Sequence, residues 1–227
     1  MVKIVCISDT HNQLSSIKIP DGDVLIHAGD FTSMGSEKEI EKFNHDLGNL
    51  PHKTKICIPG NHDFLFEENE DLARSLLSNA THLLIDEEII INGIKFYGSP
   101  YQVWFHSWAF NLPRGAPMKE KWDKIPKDTD VLITHGPPYK ILDAVPRPWL
   151  NDVENVGDRE LNKAIKRVQP KYNIFGHIHE SYGYTKIGNT IYINASCLDE
   201  NYRPGNKPII FNIEGSSEKL NAGSSKL

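Results

Sequence analysis

The chain has 227 residues, 39% of them apolar, and a formal charge of −5, which suits one soluble globular domain with a full core. The acidic balance, with no run of Lys or Arg, argues against a large nucleic-acid surface, and no stretch is long enough to span a bilayer. The first apolar run is interrupted by Asp9 and is too short for a signal-peptide core.

In chain order, a first strand is expected over about residues 2–7 and a second over 24–28, after a loop containing Pro20-Asp21-Gly22-Asp23. Ser36-Glu37-Lys38-Glu39 has the pattern of a capping box. The helix it opens sets Ile40, Phe43, Leu47 and Leu50 on one stripe and stops before Pro51. A third strand follows over 54–58, then a helix over about 69–77 with Leu72, Leu76 and Leu77 inward. Ile89-Ile90-Ile91, Asn92-Gly93 and Ile94-Lys95-Phe96-Tyr97 read as a hairpin with a type I′ turn. A strand then ends at His135. A helix capped by Asp158 turns Leu161, Ala164, Ile165 and Val168 inward, and another strand ends at Gly176-His177. A second hairpin is expected near 183–193, turning at Gly188-Asn189, and a last strand over 208–213. The single domain is placed at 1–214, with a polar tail over 215–227.

Five of these strands are continuous apolar runs, as in strands buried on both faces, and helices alternate with them. The hairpins add antiparallel strands. The expected fold is therefore a four-layer α/β/β/α sandwich of two stacked mixed sheets, with its site outside the carboxyl ends of the central strands.

Those five strands also end alike. They run into Asp9-Thr10-His11, Gly29-Asp30, Gly60-Asn61-His62-Asp63, His135-Gly136 and Gly176-His177-Ile178-His179. Taken together and in this order, the motifs resemble those of the calcineurin-like metallophosphoesterases. Thr134-His135-Gly136-Pro137-Pro138, His179-Glu180-Ser181-Tyr182-Gly183, Asn194-Ala195-Ser196 and the aromatic stretch 99–115 are similar to the metallophosphoesterase-domain-containing group within that superfamily. Some members of the group carry Gly where this chain has His177, so the stronger, two-metal form is expected here.

Residue chemistry agrees with the resemblance. Oxygen and nitrogen donors without thiolate suit Mn²⁺, Fe, Zn²⁺ or Mg²⁺. Asp9 and His11 are two apart, as are His177 and His179, a spacing that shares a face only in extended backbone. Seven side chains exceed the needs of one four-coordinate ion and fit two. The resemblance implies Asp9, His11 and His179 on one metal, Asn61, His135 and His177 on the other, and Asp30 bridging both. It further implies attack on phosphorus by a shared metal-bound hydroxide. His62 would stand at the leaving oxygen, with Asp63 orienting its ring. The cofactors are expected to be two divalent ions, Mn foremost, with Fe, Zn, Ni or Mg as alternatives.

The remaining histidines, His27, His45, His52, His82 and His106, are read as packed or merely exposed. In the aromatic stretch, Trp104 is a candidate for stacking a nucleobase and Arg114 for contacting a phosphate, the alternative being that Trp104, Trp108 and Phe110 simply pack a long loop onto the sheets; Trp108 and Phe110 are expected to be buried.

The expected function is hydrolysis of a small phosphodiester such as a cyclic nucleotide. A phosphomonoesterase or protein phosphatase is the second reading, and a catalytically inactive interaction scaffold the third. No nucleic-acid polymer or membrane partner is expected. Cys6, Cys57 and Cys197 have no metal-ligand spacing, and two of them lie in predicted strands, which suggests a reducing, cytoplasmic setting. The terminal Ser225-Lys226-Leu227 matches the peroxisomal address, an alternative if the cell is eukaryotic.

Overall fold

The computed structural model describes residues 1–215; the Ser225-Lys226-Leu227 terminus lies outside the described residues. The elements are β1 (Val2–Ile7), β2 (Val24–His27), α1 (Glu37–Gly48), β3 (Thr54–Cys57), α2 (Leu65–Glu68), α3 (Glu70–Leu76), β4 (His82–Leu83), β5 (Glu87–Ile91) and β6 (Ile94–Ser99). They continue with β7 (Gln102–Val103), β8 (Asn111–Leu112), α4 (Ala116–Asp123), β9 (Val131–Thr134), β10 (Ala144–Arg147), β11 (Asp152–Asn155) and α5 (Arg159–Val168). Last come β12 (Tyr172–Phe175), β13 (Gly183–Ile187), β14 (Thr190–Asn194) and β15 (Ile209–Ile213).

The continuous apolar runs have a direct physical cause. Successive strand residues point to opposite faces, and here both faces are covered. Ile4 and Cys6 of β1 face the other sheet, while Val5 and Ile7 face helices. In β9, Val131 and Ile133 face inward between the sheets and Leu132 faces the opposite helix layer. One sheet has the order β15-β1-β2-β3-β4, parallel except for β15. The other runs β13-β14-β12-β9-β6-β5, with four parallel central strands and antiparallel edges.

Ile26, Ile56, Phe96 and Ile174 pack between the sheets. Phe43 and Leu47 of α1 and Ala73 of α3 cover the outer face of the first sheet. Trp122 of α4 and Leu161 of α5 cover the second against Phe175. The result is the α/β/β/α sandwich, and each large side chain so buried contributes roughly 1.5–3 kcal/mol.

Local chemistry explains most boundaries. The Glu39 carboxylate accepts the Ser36 backbone N–H, as the capping box requires. Asn92 and Gly93 both take positive φ, 52° and 73°, the geometry of a type I′ turn. Asp158 caps α5 by accepting the N–H groups of Glu160 and Leu161. One expectation fails in α3. Ala73 and Leu77 are buried there and Leu72 is not, because the i, i+4 pair sets the inward edge and Leu72 lies a step around the helix.

Candidate metal centre

The carboxyl ends of β1, β2, β3, β9 and β12 share one edge of the sandwich, where a parallel bridge between Ser8 and Ser196 joins the two sheets. Left-handed backbone is concentrated there: Asp9 (φ 53°), His11 (φ 37°), Asp30 (φ 56°) and His177 (φ 68°). Non-glycine residues are strained in such conformations, which persist where surrounding structure fixes them, commonly at functional sites. Gly60 and Gly176 permit the close approach, since a Cβ on either would collide with the carboxylate of Asp30 or Asp9.

Asp30 sits at the middle. Its Oδ2 lies 3.3 Å from His135 Nε2, 3.8 Å from His11 Nε2 and 3.9 Å from His62 Nε2. His135 Nε2 is also 2.8 Å from Asn61 Oδ1, and His179 Nε2 is 3.4 Å from Asp9 Oδ1. Three groups have ligand atoms within 4.8 Å of one another: Asp9, His11 and His179; His11, Asp30 and His62; Asp30, His135 and His177. They share His11 and Asp30, so they form one dinuclear metal-binding site.

The imidazoles are oriented for ligation. Nδ1 of His11, His62, His135 and His179 lies within hydrogen-bond distance of the carbonyls of Thr32, Ser33, Ala28 and Asp199, at 3.1, 2.7, 2.9 and 2.9 Å. A carbonyl only accepts, so each Nδ1 carries a proton and each Nε2 faces the cluster. Nε2 of His11 is buried with no hydrogen-bond partner, as expected of a lone pair meant for a cation.

The electrostatics agree. Burial alone would raise the Asp9 carboxyl, but the hydrogen bond and charge of His179, with His135 and His11 nearby, hold it well below the usual range. Asp30 is depressed in the same way: His135, His62 and His11 outweigh its burial. Burial opposes the charged form of His135 and His179 too, yet Asp30 raises the first and Asp9 the second to about 9. Burial and the charge of His135 lower His177 to about 3. Carboxylates that draw protons onto neighbouring imidazoles form a pocket that calls for positive charge, and two divalent ions fit that demand.

Asp63 does not orient His62, contrary to expectation. Its carboxylate turns back under the loop and accepts from Asp30 N, Thr32 N, Thr32 Oγ1 and Gly60 N. Burial and the Asp30 charge push its pKa up, but four donors favour the ionised form. Asp63 therefore fixes the Asp30 and Asn61 loops, and Ser33 holds the His62 ring.

Arg114 is committed elsewhere as well. Its guanidinium donates to the carbonyls of Gly157 and Val156 at 2.7 and 2.6 Å. Trp104 is exposed, Phe110 is buried, and Trp108 is only half-buried, its ring centroid 3.7 Å from that of His62. His27 is fully buried against Phe31 and Phe43, with Nε2 at 2.9 Å from the Thr10 hydroxyl.

Several contributors were not singled out from the sequence. Ser196 donates its hydroxyl to Asp9 at 2.9 Å, within the Asn194-Ala195-Ser196 stretch that was the available signal. Tyr202 stands at the mouth, with ring centroids 4.9 Å from His11 and 5.1 Å from His179. Nothing in its local sequence marks it. A cleft of about 490 Å³ leads away from His177 and His179 past Tyr202, between the β7–β8 segment and the β10–β11 ribbon.

Two mixed sheets delivering Asp, Asn and His to a paired cluster define a dinuclear metallohydrolase architecture. Calcineurin-like phosphoesterase is the family whose profile matches residues 2–181, and the chain belongs to it. Human Metallophosphoesterase domain-containing protein 1 and its Mus musculus counterpart are each 45% identical over 235 residues, covering 93% of this chain and 71% of the relative. A crystal structure of a Thermus thermophilus protein superposes with a TM-score of 0.57 over 85% of this chain and 88% of that one, and at 15% identity it shows the fold alone. Among the described residues, no helix is long and apolar enough to cross a membrane.

Proposed function

We propose that the chain is a metal-dependent phosphodiesterase for a small diester, with cyclic nucleotides among its candidate substrates and Mn²⁺ foremost among its candidate metals. One observation carries the preference for diesters. Among the described residues, the cleft beside the metal centre offers room for a second ester arm, a group that a monoester lacks. Arg114 is held by two carbonyls, and Arg147 is paired with Asp152 and Glu154. A monoester has no second arm to fill that space.

Two divalent cations, when bound, neutralise charge on the phosphoryl oxygens and lower the pKa of a shared water. The chain's own groups do the rest. Asp9, His11 and His179 are suited to hold one ion and Asn61, His135 and His177 the other, with Asp30 Oδ2 facing both sets. The His62 ring is fixed by the Ser33 carbonyl and packed by Trp108. Its Nε2 points into the centre, where it can give a proton to the departing oxygen.

The test is a metal-reconstituted panel comparing p-nitrophenyl phosphate with bis(p-nitrophenyl) phosphate and with 2′,3′- and 3′,5′-cyclic nucleotides. A kcat/KM preference of roughly tenfold or more for diesters is expected. A monoester preference would overturn the diester reading. Inactivity with Mn²⁺, Ni²⁺, Zn²⁺ and Fe²⁺ alike would favour an interaction scaffold.

A further inference from the structure

The cleft beside the metal centre has an unusual lining. Trp104 is 59% exposed, Phe105 54% and Trp149 78%, and all three open onto this one concavity. Single exposed aromatics need no explanation, but three around a cleft continuous with His177 and His179 are not scatter. Neither Trp104 nor Trp149 has another aromatic ring against it among the described residues, and both expose more than half of their surface.

The walls differ in construction. Trp104 follows β7 and is tied by its backbone N–H to the Leu112 carbonyl. Trp149 sits at the tip of the β10–β11 ribbon, whose root is pinned at three places. The Ser181 hydroxyl bonds both the N–H and the carbonyl of Ala144, and Ser181 is two residues beyond His179. The Asp143 carboxylate accepts from Asn155 Nδ2 and Gly157 N, and Arg114 grips the Val156 and Gly157 carbonyls. This ribbon is therefore registered to the metal-ligand segment while its tip extends over the cleft. Arg147 is neutralised within the ribbon, Arg114 is turned onto two carbonyls, and Glu154, Asp158, Glu180 and Glu200 line the same space, so carboxylates outnumber the two arginines there. A volume of about 490 Å³ admits a group of nucleoside size.

We propose that this cleft is the subsite for the ester arm that stays on phosphorus while the other leaves beside His62, and that it selects an arm bearing a flat, uncharged aromatic ring stacked on Trp104 and Trp149. The assignment rests on the phosphodiesterase reading, and its test separates the two. The metal-loaded full chain is assayed with three substrates that share one leaving group: methyl, phenyl and thymidine-5′-yl p-nitrophenyl phosphate. Aromatic arms should raise kcat/KM at least about tenfold over methyl, the order expected for a stacked ring. Trp104→Ala and Trp149→Ala, both at exposed positions, should each erase most of that gain and leave the methyl ester within twofold.

The phenyl and thymidine arms distinguish a plain aryl group from a nucleoside, and a gain with either supports the subsite. No gain with either, or an equal loss on all three substrates in both variants, overturns it. A turnover-independent readout completes the test: diphenyl phosphate should quench tryptophan fluorescence at concentrations where dimethyl phosphate does not, and Trp149→Ala should weaken that response. Selective binding without hydrolysis would sink the phosphodiesterase reading alone, whereas matched responses to the two diesters would sink the subsite.

Discussion

Oδ1 of Asp30 is held by the His62 backbone N–H at 2.8 Å, which leaves Oδ2 to serve both clusters. Asp30→Ala should therefore lower bound metal from two ions per chain to fewer than one by elemental analysis. Its activity should fall by more than the about 10–100-fold typical of residues one contact further out. Wild-type metal content in that variant would remove Asp30 from the centre. His62 poses a sharper question, because the geometry places its Nε2 within ligand reach as well. If it protonates the leaving oxygen, His62→Ala keeps both ions, loses about 10²–10⁴-fold in turnover, and suffers more with phenolate than with p-nitrophenolate leaving groups. Metal loss in parallel with activity would make it a ligand instead. The side chains around Asp30 are legible in the sequence because each of the five strands that meet at this edge runs into an O or N donor. Ser33 is not, since it acts through a backbone carbonyl, which any residue type could supply at that point.

Elements with a strong period were equally legible. The stripes of α1 and α5 follow from one covered face each, and the continuous apolar runs of the central strands from two. The β10–β11 ribbon has no such signal because it is hydrogen-bonded to neither large sheet and carries Pro146 with exposed Trp149 and Leu150 rather than an apolar run. Helix α4 was missed for a related reason: only Met118 and Trp122 face inward, one i, i+4 pair in a short helix that opens with Pro117. That helix is fastened to its neighbour by Asp158, which caps α5 and also accepts the Trp122 indole N–H at 2.6 Å. Losing a cap costs about 0.5–2 kcal/mol, and a buried indole left unpaired about 1–3 kcal/mol more. Urea unfolding of Asp158→Ala should thus show a loss of roughly 1.5–5 kcal/mol. A change below about 0.5 kcal/mol would mean the two helices do not depend on this carboxylate.

For the molecule as a whole, the metal centre lies across the seam between the sheets, with Asp9, Asp30 and Asn61 from one and His135 and His177 from the other. Its titration is therefore coupled to the stability of the whole sandwich. In metal-free protein, His135 and His179, raised to about 9, contribute stability that is complete below their ordinary value near 6.5 and is lost as pH rises through 9. His27 and His177, which burial lowers to about 3, act in the opposite sense: their contribution is complete above 6.5 and is lost as pH falls toward 3. Metal-free protein should then be most stable near pH 6.5, with each uncompensated proton changing stability by up to about 1.4 kcal/mol per pH unit on either side. Cations would replace protons on His135 and His179, so Mn²⁺ should abolish the alkaline decline and steepen the acid limb, where protons compete with metal for the ligand histidines. Urea midpoints at pH 5, 6.5 and 8.5, with chelator and with Mn²⁺, measure both limbs. If the chelated protein is more stable at pH 8.5 than at 6.5, the carboxylates are not holding protons on His135 and His179, and the case that this pocket demands positive charge loses its electrostatic support.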